Sequence, residues 1–365
     1  GSRIDSSPDR QKNASQRKPV MLANHNPCIP SRMKLFAAAR LIAGGLLVGL
    51  ALAASPDFSH AQNDTAEAHH RRGVEYHNRR CLDDASREYA RALELDPPRE
   101  PTAEELRIIR RFAPRIYTTP MEFFPLKDFA VILHPSARQI AYHLFWEDDI
   151  DFPEDNDPAD HELMWVQYSV DGKSIEKVWA YFHGRILAGG EAALADARRH
   201  GHRPRINAQW GKHGTLLAGW EEMTITADAG DSEKKYYPTG QPITLNIYQQ
   251  GTYRKLSEDG HRLIDHPLAK RLGWPRKFVG SWKDFVNFSR LVEPLALLDK
   301  KKMARVTRWN SATINQHFLT YNFRPKTEWP GEVLNTRIAS RTEGSAGPGA
   351  GSLDDFQLPQ KFVFD

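Results

Sequence analysis

The hydrophobic period of this 365-residue chain changes once, at Pro114, and that change limits the fold to a helical part followed by an extended one. From Ala66 to Ala113 apolar and small residues recur three and four apart, the spacing of helices that bury one face. Beyond Pro114 come short runs rich in Val, Ile, Trp, Tyr and Phe, broken by turn residues, which is the pattern of strands. The runs at 130–134, 139–146, 163–170 and 175–183 read as strands, with Asp171-Gly172 as a hairpin turn between the last two. EAALADARRH, after Gly189-Gly190, reads as a short helix; strands are expected again at 205–210, 222–227 and 242–250. Residues 282–298 read as a helix broken around Pro294, and ARVTRWN and QHFLTYNF, near 304–323, as closing strands. The expected class is α+β, mainly β: a β-sandwich with helical insertions behind an N-terminal helical hairpin.

Ahead of the helices lies a secretory leader. From Met33 the chain reads MKLFAAAR, then an apolar run from Leu41 to Ala54, then SPDFSHAQ. Lys34 and Arg40 supply the positive end, and Ser59-His60-Ala61 places small residues before a cut, as in a signal peptide. The run is shorter than the roughly 20 apolar residues that span a bilayer, so cleavage near Ala61 is expected and retention as an anchor stays open. The sequence thus divides into a non-native or disordered polar leader at 1–32 that precedes a start methionine, a signal peptide at 33–61, helices at 62–114, a β-sandwich at 115–335 and a flexible tail at 336–365. The expected location is periplasmic or secreted, with no stable transmembrane segment after cleavage.

Charge follows the same division. Residues 1–61 hold eight Lys/Arg and three Asp/Glu, so removing them from the chain's 50 basic and 46 acidic residues leaves 42 and 43. A near-neutral remainder carries no basic footprint for nucleic acid. With Cys28 in the leader, Cys81 alone remains, and a mature chain without an internal disulfide is expected.

Within the helical part, Gly73, Tyr76, Ala85, Tyr89, Ala92 and Pro97, closing on ALELDP, resemble one tetratricopeptide repeat, with small residues where two helices meet and aromatics between them. One repeat cannot build the groove that three or more form. Thr102 and Glu105 read as a capping box that opens a third helix, stopped by Pro114 and available to cover the hairpin.

The densest chemistry lies at residues 147–162, EDDIDFPEDNDPADHE, which hold nine carboxylates in sixteen positions between two apolar strands. Such crowding calls for solvent or a cation to offset repulsion, and oxygen donors without a thiolate select Ca²⁺ or Mg²⁺. The spacing is neither an EF-hand nor a zinc-protease helix, and no phosphate loop, dinucleotide fingerprint or serine elbow occurs.

RFAPRIYTTPMEFFPLKD at 111–128, HLFWEDD, NDPADHE before LMWVQY, and QWGKHG at 209–214 together resemble a β-sandwich superfamily. It includes the necrosis- and ethylene-inducing cytolysins and the vacuolar-sorting-protein-sixty-two-like domains. The resemblance implies a divalent-cation site at Asp149, Asp157, Asp160 and Glu162, with Asp157 where the cytolysins have a His and His161 where they have a Trp. It also places His213 at the His of a later Gly-Ser-His segment.

Two other readings stand beside a cation site that serves recognition of a surface glycan or lipid headgroup. Metal-assisted hydrolysis would use His183 or His213 as base, with His143 and His161 in neighbouring strands available to converge on the acids. A non-enzymatic scaffold would bind a protein partner through the hairpin. Tyr236, Tyr237, Trp274, Trp282, Trp309 and Trp329 are the aromatics in expected loops that could contact a ligand.

Overall fold

The computed structural model describes residues 64–79, 81–150, 160–227, 235–259, 278–318, 329–330 and 338–340. These lie within one compact unit. The segments read as leader and signal peptide, residues 151–159, Trp274 and most of the tail lie outside them.

Helices α1 (Ala66–Asn78) and α2 (Leu82–Leu95) form the expected hairpin. Thr65 caps α1 by accepting from the Ala68 N–H at 3.1 Å. The two helices approach through Gly73, where an added Cβ would fall 2.4 Å from Cδ1 of Tyr89. Tyr89 then packs in a cluster with Ala85, Leu93, Trp309 and Ala312, so a later part of the chain covers the hairpin. The Trp309 indole donates to Asp96 Oδ2 at 2.8 Å and fixes the covering segment. Cys81 is buried at the start of α2, and Cys28 lies outside the described residues.

Helix α3 (Ala103–Phe112) opens with the capping box read from Thr102 and Glu105. It does not cover the hairpin. Its buried Ile109 and Phe112 join Phe129 and Tyr142 in the β core, and the Tyr142 hydroxyl donates to Ile109 O at 2.7 Å. The larger apolar surface lay on the sheet, so the amphipathic helix buried its stripe there.

Strands β1 to β8 span Arg115–Thr118, Leu126–Leu133, Gln139–Trp146, Asp160–Tyr168, Ile175–Phe182, Arg185–Ala188, Arg205–Ala208 and Thr215–Leu217. Helix α4 (Glu191–Arg199) lies between β6 and β7. After β8 come β9 (Thr224–Thr226), β10 (Pro242–Thr244), β11 (Arg290–Val292), β12 (Ala304–Val306) and β13 (Ile338–Ser340). A seven-stranded sheet runs β12-β2-β3-β4-β5-β6-β13, and a four-stranded sheet runs β11-β1-β7-β8. Adjacent strands from β2 to β6 are antiparallel, whereas β1–β7, β2–β12 and β6–β13 are parallel. The fold is α+β with mixed sheets.

The large sheet is buried on both faces. One face packs Val131, Tyr142, Leu144, Trp146, Met164 and Val166 against residues of the small sheet such as Ile116, Ile206 and Leu216. The other packs Ala130, Ile132, Phe145, Leu163 and Trp165 against Met303, Ile314 and Trp329. That two-sided burial explains why β2, β3 and β4 read as near-continuous apolar runs rather than alternating ones.

Three segments fold differently from the sequence reading. The strand expected at 242–250 ends at Thr244, where helix α5 (Leu245–Asp259) begins. Leu245, Tyr248, Gln249, Thr252 and Leu256 are among its buried residues, a spacing of three and four that outweighs the β-propensity of Ile and Tyr. Residues 282–298 split into a single turn at Trp282–Phe285, strand β11, and a helix Leu295–Lys301 that starts after Pro294. Of the second closing strand, Gln316, His317 and Phe318 are helical instead: Asn310–Thr313 is a turn of α-helix that runs into a π-turn at Ile314–Phe318, and residues 319–323 lie outside the described residues. Among the described residues no helix is long and apolar enough to cross a membrane.

The Gly73 contact yields a direct check of the hairpin. Gly73→Ala should lower unfolding stability by about 1–3 kcal/mol, the usual cost of overpacking, in urea denaturation. A variant as stable as wild type would contradict the close approach.

Candidate functional site

Three segments separated in sequence meet at one end of the large sheet. Residues 119–125 enter β2, residues 147–150 leave β3, and residues 209–214 join β7 to β8. Their backbones are tied together: Glu147 N donates to Pro125 O at 3.0 Å, and Ile150 N to Gly211 O at 2.8 Å. The Trp210 indole donates to Met121 O at 3.0 Å. Gly211 has φ +68°, and an added Cβ would fall 2.7 Å from Ile150 Cγ2, so both its backbone and its contact require glycine.

His213 stands where the three segments meet. It is fully buried and its ring stacks on Trp146, with centroids 4.2 Å apart and 6° between planes. Nδ1 faces Asp160 Oδ2 at 2.8 Å, and Nε2 faces Glu122 Oε1 at 3.5 Å. Burial alone pushes this imidazole down, but the Glu122 charge and the bonds to Asp160 and Glu122 overcome it and lift the pKa to about 10. At neutral pH the ring is therefore an imidazolium between two acids. It adopts φ +51°, a left-handed conformation that costs a non-glycine residue of the order of 1–3 kcal/mol.

Glu122 is a second anchor, and the sequence reading gave it no role beyond its place in the resembling stretch at 111–128. Its Oε1 accepts from the Phe123 and Phe124 N–H groups at 2.9 and 3.0 Å, and its Oε2 from Gly211 N–H at 2.7 Å. One buried carboxylate thus closes its own turn and holds the 209–214 segment against it. The available signal was a single acid inside the apolar string MEFFP, where an ionised group is buried only if several donors meet it.

The pleat of β4 sorts the expected ligands. Asp160 and Glu162, two apart, lie on the face that carries Met164 and Val166; His161 lies on the opposite face. The Asp160 side chain is 14% exposed, and Glu162 is buried. Asp149 is half-buried after Asp148, whose Oδ1 accepts from its N–H at 2.8 Å. Asp157 lies outside the described residues. Among the described residues no group of three or more His, Cys, Asp or Glu side chains is placed to hold a metal ion. Asp160 and Glu162 fit a hard cation as part of an oxygen donor set, and that set needs donors from the adjoining acidic turn to be complete.

Among the described residues, His213 is the histidine placed against Asp160, at 2.8 Å. His161 stacks on Phe145 at 4.4 Å and approaches His143 at 3.0 Å, across the sheet. His183, half-buried at φ +43°, places Nε2 2.5 Å from Gln209 Oε1, and Gln209 passes the contact to Gln249 on α5 at 2.9 Å. Of the aromatics expected in loops, Tyr237, Trp309 and Trp329 are buried, Tyr236 and Trp282 are partly covered, and Trp274 lies outside the described residues.

The chain matches no protein-family model and no curated protein. Among solved structures it is similar to the crystal structure of Necrosis and Ethylene inducing Protein 2 from the causal agent of cocoa's Witches Broom disease. The identity is 13% and the TM-score 0.23, over 33% of this chain and 70% of that one. A likeness at that score assigns neither fold nor function.

The raised pKa of His213 fixes the sign of one pH effect in the cation-free protein. A folded value of about 10 against 6.5 unfolded means the stabilisation is complete below 6.5 and is lost as pH rises through 10. Urea unfolding of wild type and His213→Gln, measured with chelator from pH 6 to 10, should show the wild-type advantage shrinking as pH climbs. A constant difference would refute the charged pair.

Proposed function

We propose that this chain is an exported protein whose two sheets form a β-sandwich with a divalent-cation site at one end, and that the ion serves recognition of a surface glycan or lipid headgroup. The donors are Asp160 and Glu162 on β4, Asp149 after β3, and Asp157 from the acidic turn. Hard oxygen ligands and high negative charge favour Ca²⁺ over a transition metal. The leader read at 33–61 supports a periplasmic or secreted location.

One observation carries the reading. The strand that follows the acidic turn begins with two acids on one face, Asp160 and Glu162, and the first is only partly covered. Asp160 stands, through His213, at the meeting point of the three segments described above. His213 takes one oxygen of Asp160 and leaves the other for a second partner. The imidazolium thus steadies the carboxylate at the rim of the core. An ion, when bound, would supply charge to bridge the acids to an anionic or hydroxyl-rich ligand.

The rival readings draw less support. His213 is fully buried between Asp160 and Glu122, with no exposed edge to meet a substrate, so it does not suit a general base. The hairpin's inner side is occupied by Trp309 and Ala312, which leaves less of it for a protein partner.

Calorimetric titration with Ca²⁺ and with Mg²⁺ tests the proposal. Wild type should give saturable heat, stronger for Ca²⁺, and Asp160→Asn/Glu162→Gln should lose at least about tenfold in affinity, or roughly 1.4 kcal/mol. Equal, negligible heat from both proteins would end the cation reading.

A further inference from the structure

We propose that the acidic sheet end and the helical hairpin are coupled through β4, so that a cation held by Asp160 and Glu162 tightens the docking of the Trp309 segment and the hairpin by way of His161, His143 and Asn310. The inference rests on the cation reading above and adds a second place where binding is felt.

The coupling follows from alternation in a strand. Asp160 and Glu162 flank His161, so a ligand that fixes both acids on one face also fixes the peptide groups on either side of His161. The His161 ring has little room to absorb a shift: it lies parallel to Phe145, with 4° between planes, and His143 stacks beside it at 5.2 Å. His161 Nε2 meets His143 Nδ1 at 3.0 Å, and His143 Nε2 meets Asn310 Oδ1 at 2.6 Å. The Asn310 oxygen accepts, so His143 carries a proton on Nε2, and the proton between His143 Nδ1 and His161 Nε2 is set by the tautomer of the pair.

Beyond Asn310 the path is short. Asn310 opens the helical turn Asn310–Thr313, and Trp309 immediately before it is the residue that fills the hairpin. Trp309 is held by Asp96 at the end of α2 and packs on His70 of α1 at 5.1 Å. Gln316, in the following turn, donates to the Ser86 hydroxyl of α2 at 2.9 Å. Every member from His161 to Trp309 is buried. A buried polar chain is costly to leave half-made, so its bonds form together or fail together. A ligand that orders one end lowers the entropy still to be lost at the other, which is positive coupling.

Hydrogen exchange on the full-length protein, with and without saturating Ca²⁺, reads this directly. In wild type, amides of α2 and of 310–313 should exchange about fivefold more slowly with Ca²⁺, the lower end of ordinary coupling energies. Asn310→Ala should keep the calorimetric Ca²⁺ binding and lose the slowing. Should circular dichroism show Asn310→Ala unfolded, Trp309→Phe, which keeps a ring but not the bond to Asp96, should bind Ca²⁺ and lose the slowing in α2. Ca²⁺ binding with no slowing in wild type, or equal slowing in the folded variant, would overturn the coupling while leaving the site. No Ca²⁺ binding by wild type would overturn both, and the blank calorimetric trace would show which had failed.

Discussion

A protonated imidazole between two carboxylates organises the sheet end of this protein. His213 is buried with Asp160 on one nitrogen and Glu122 on the other, and its charge offsets part of the cost of holding both acids near the core. Glu122 in turn holds Gly211, and the backbone pairing of Ile150 with Gly211 brings in the start of the acidic turn. Removing one partner of such a group leaves an uncompensated buried charge, which ordinarily costs about 3–5 kcal/mol. The three segments therefore stand or fall as a unit, and the placement of Asp160 depends on all of them.

The strain in the same region follows from that arrangement. His213 and His183 both hold left-handed backbone, and each precedes a glycine. The side chains that result are turned toward partners a relaxed strand end would not reach: Asp160 for His213, Gln209 for His183. Strain of this kind persists where the surroundings over-determine it, here through the Trp146 stack and the Glu122 turn.

Much of the fold was legible in the sequence wherever local signals and tertiary burial agreed. The capping box at Thr102, the strand at 139–146 and the hairpin around Gly73 and Tyr89 all belong to that group. Reading failed where a β-rich composition met a helical burial pattern, as in α5, and where Gln316, His317 and Phe318 read as strand residues but lie in a helical turn. At the site, the acidic turn and His213 were visible as types and spacings. Glu122 and Trp146 were not, because their importance comes from segments over twenty residues apart meeting at one imidazole. The pairing of Asp160 with His213, 53 residues on, is equally a product of the sheet topology.

The nitrogen NMR signals of the His213 ring test the central claim most directly. In the chelated wild-type protein both ring nitrogens should remain protonated at pH 8, and Asp160→Asn should bring titration down toward the ordinary histidine range of about 6.5. A neutral His213 tautomer in wild type at pH 8 would contradict the account, because the charge that gathers the two acids would then be missing.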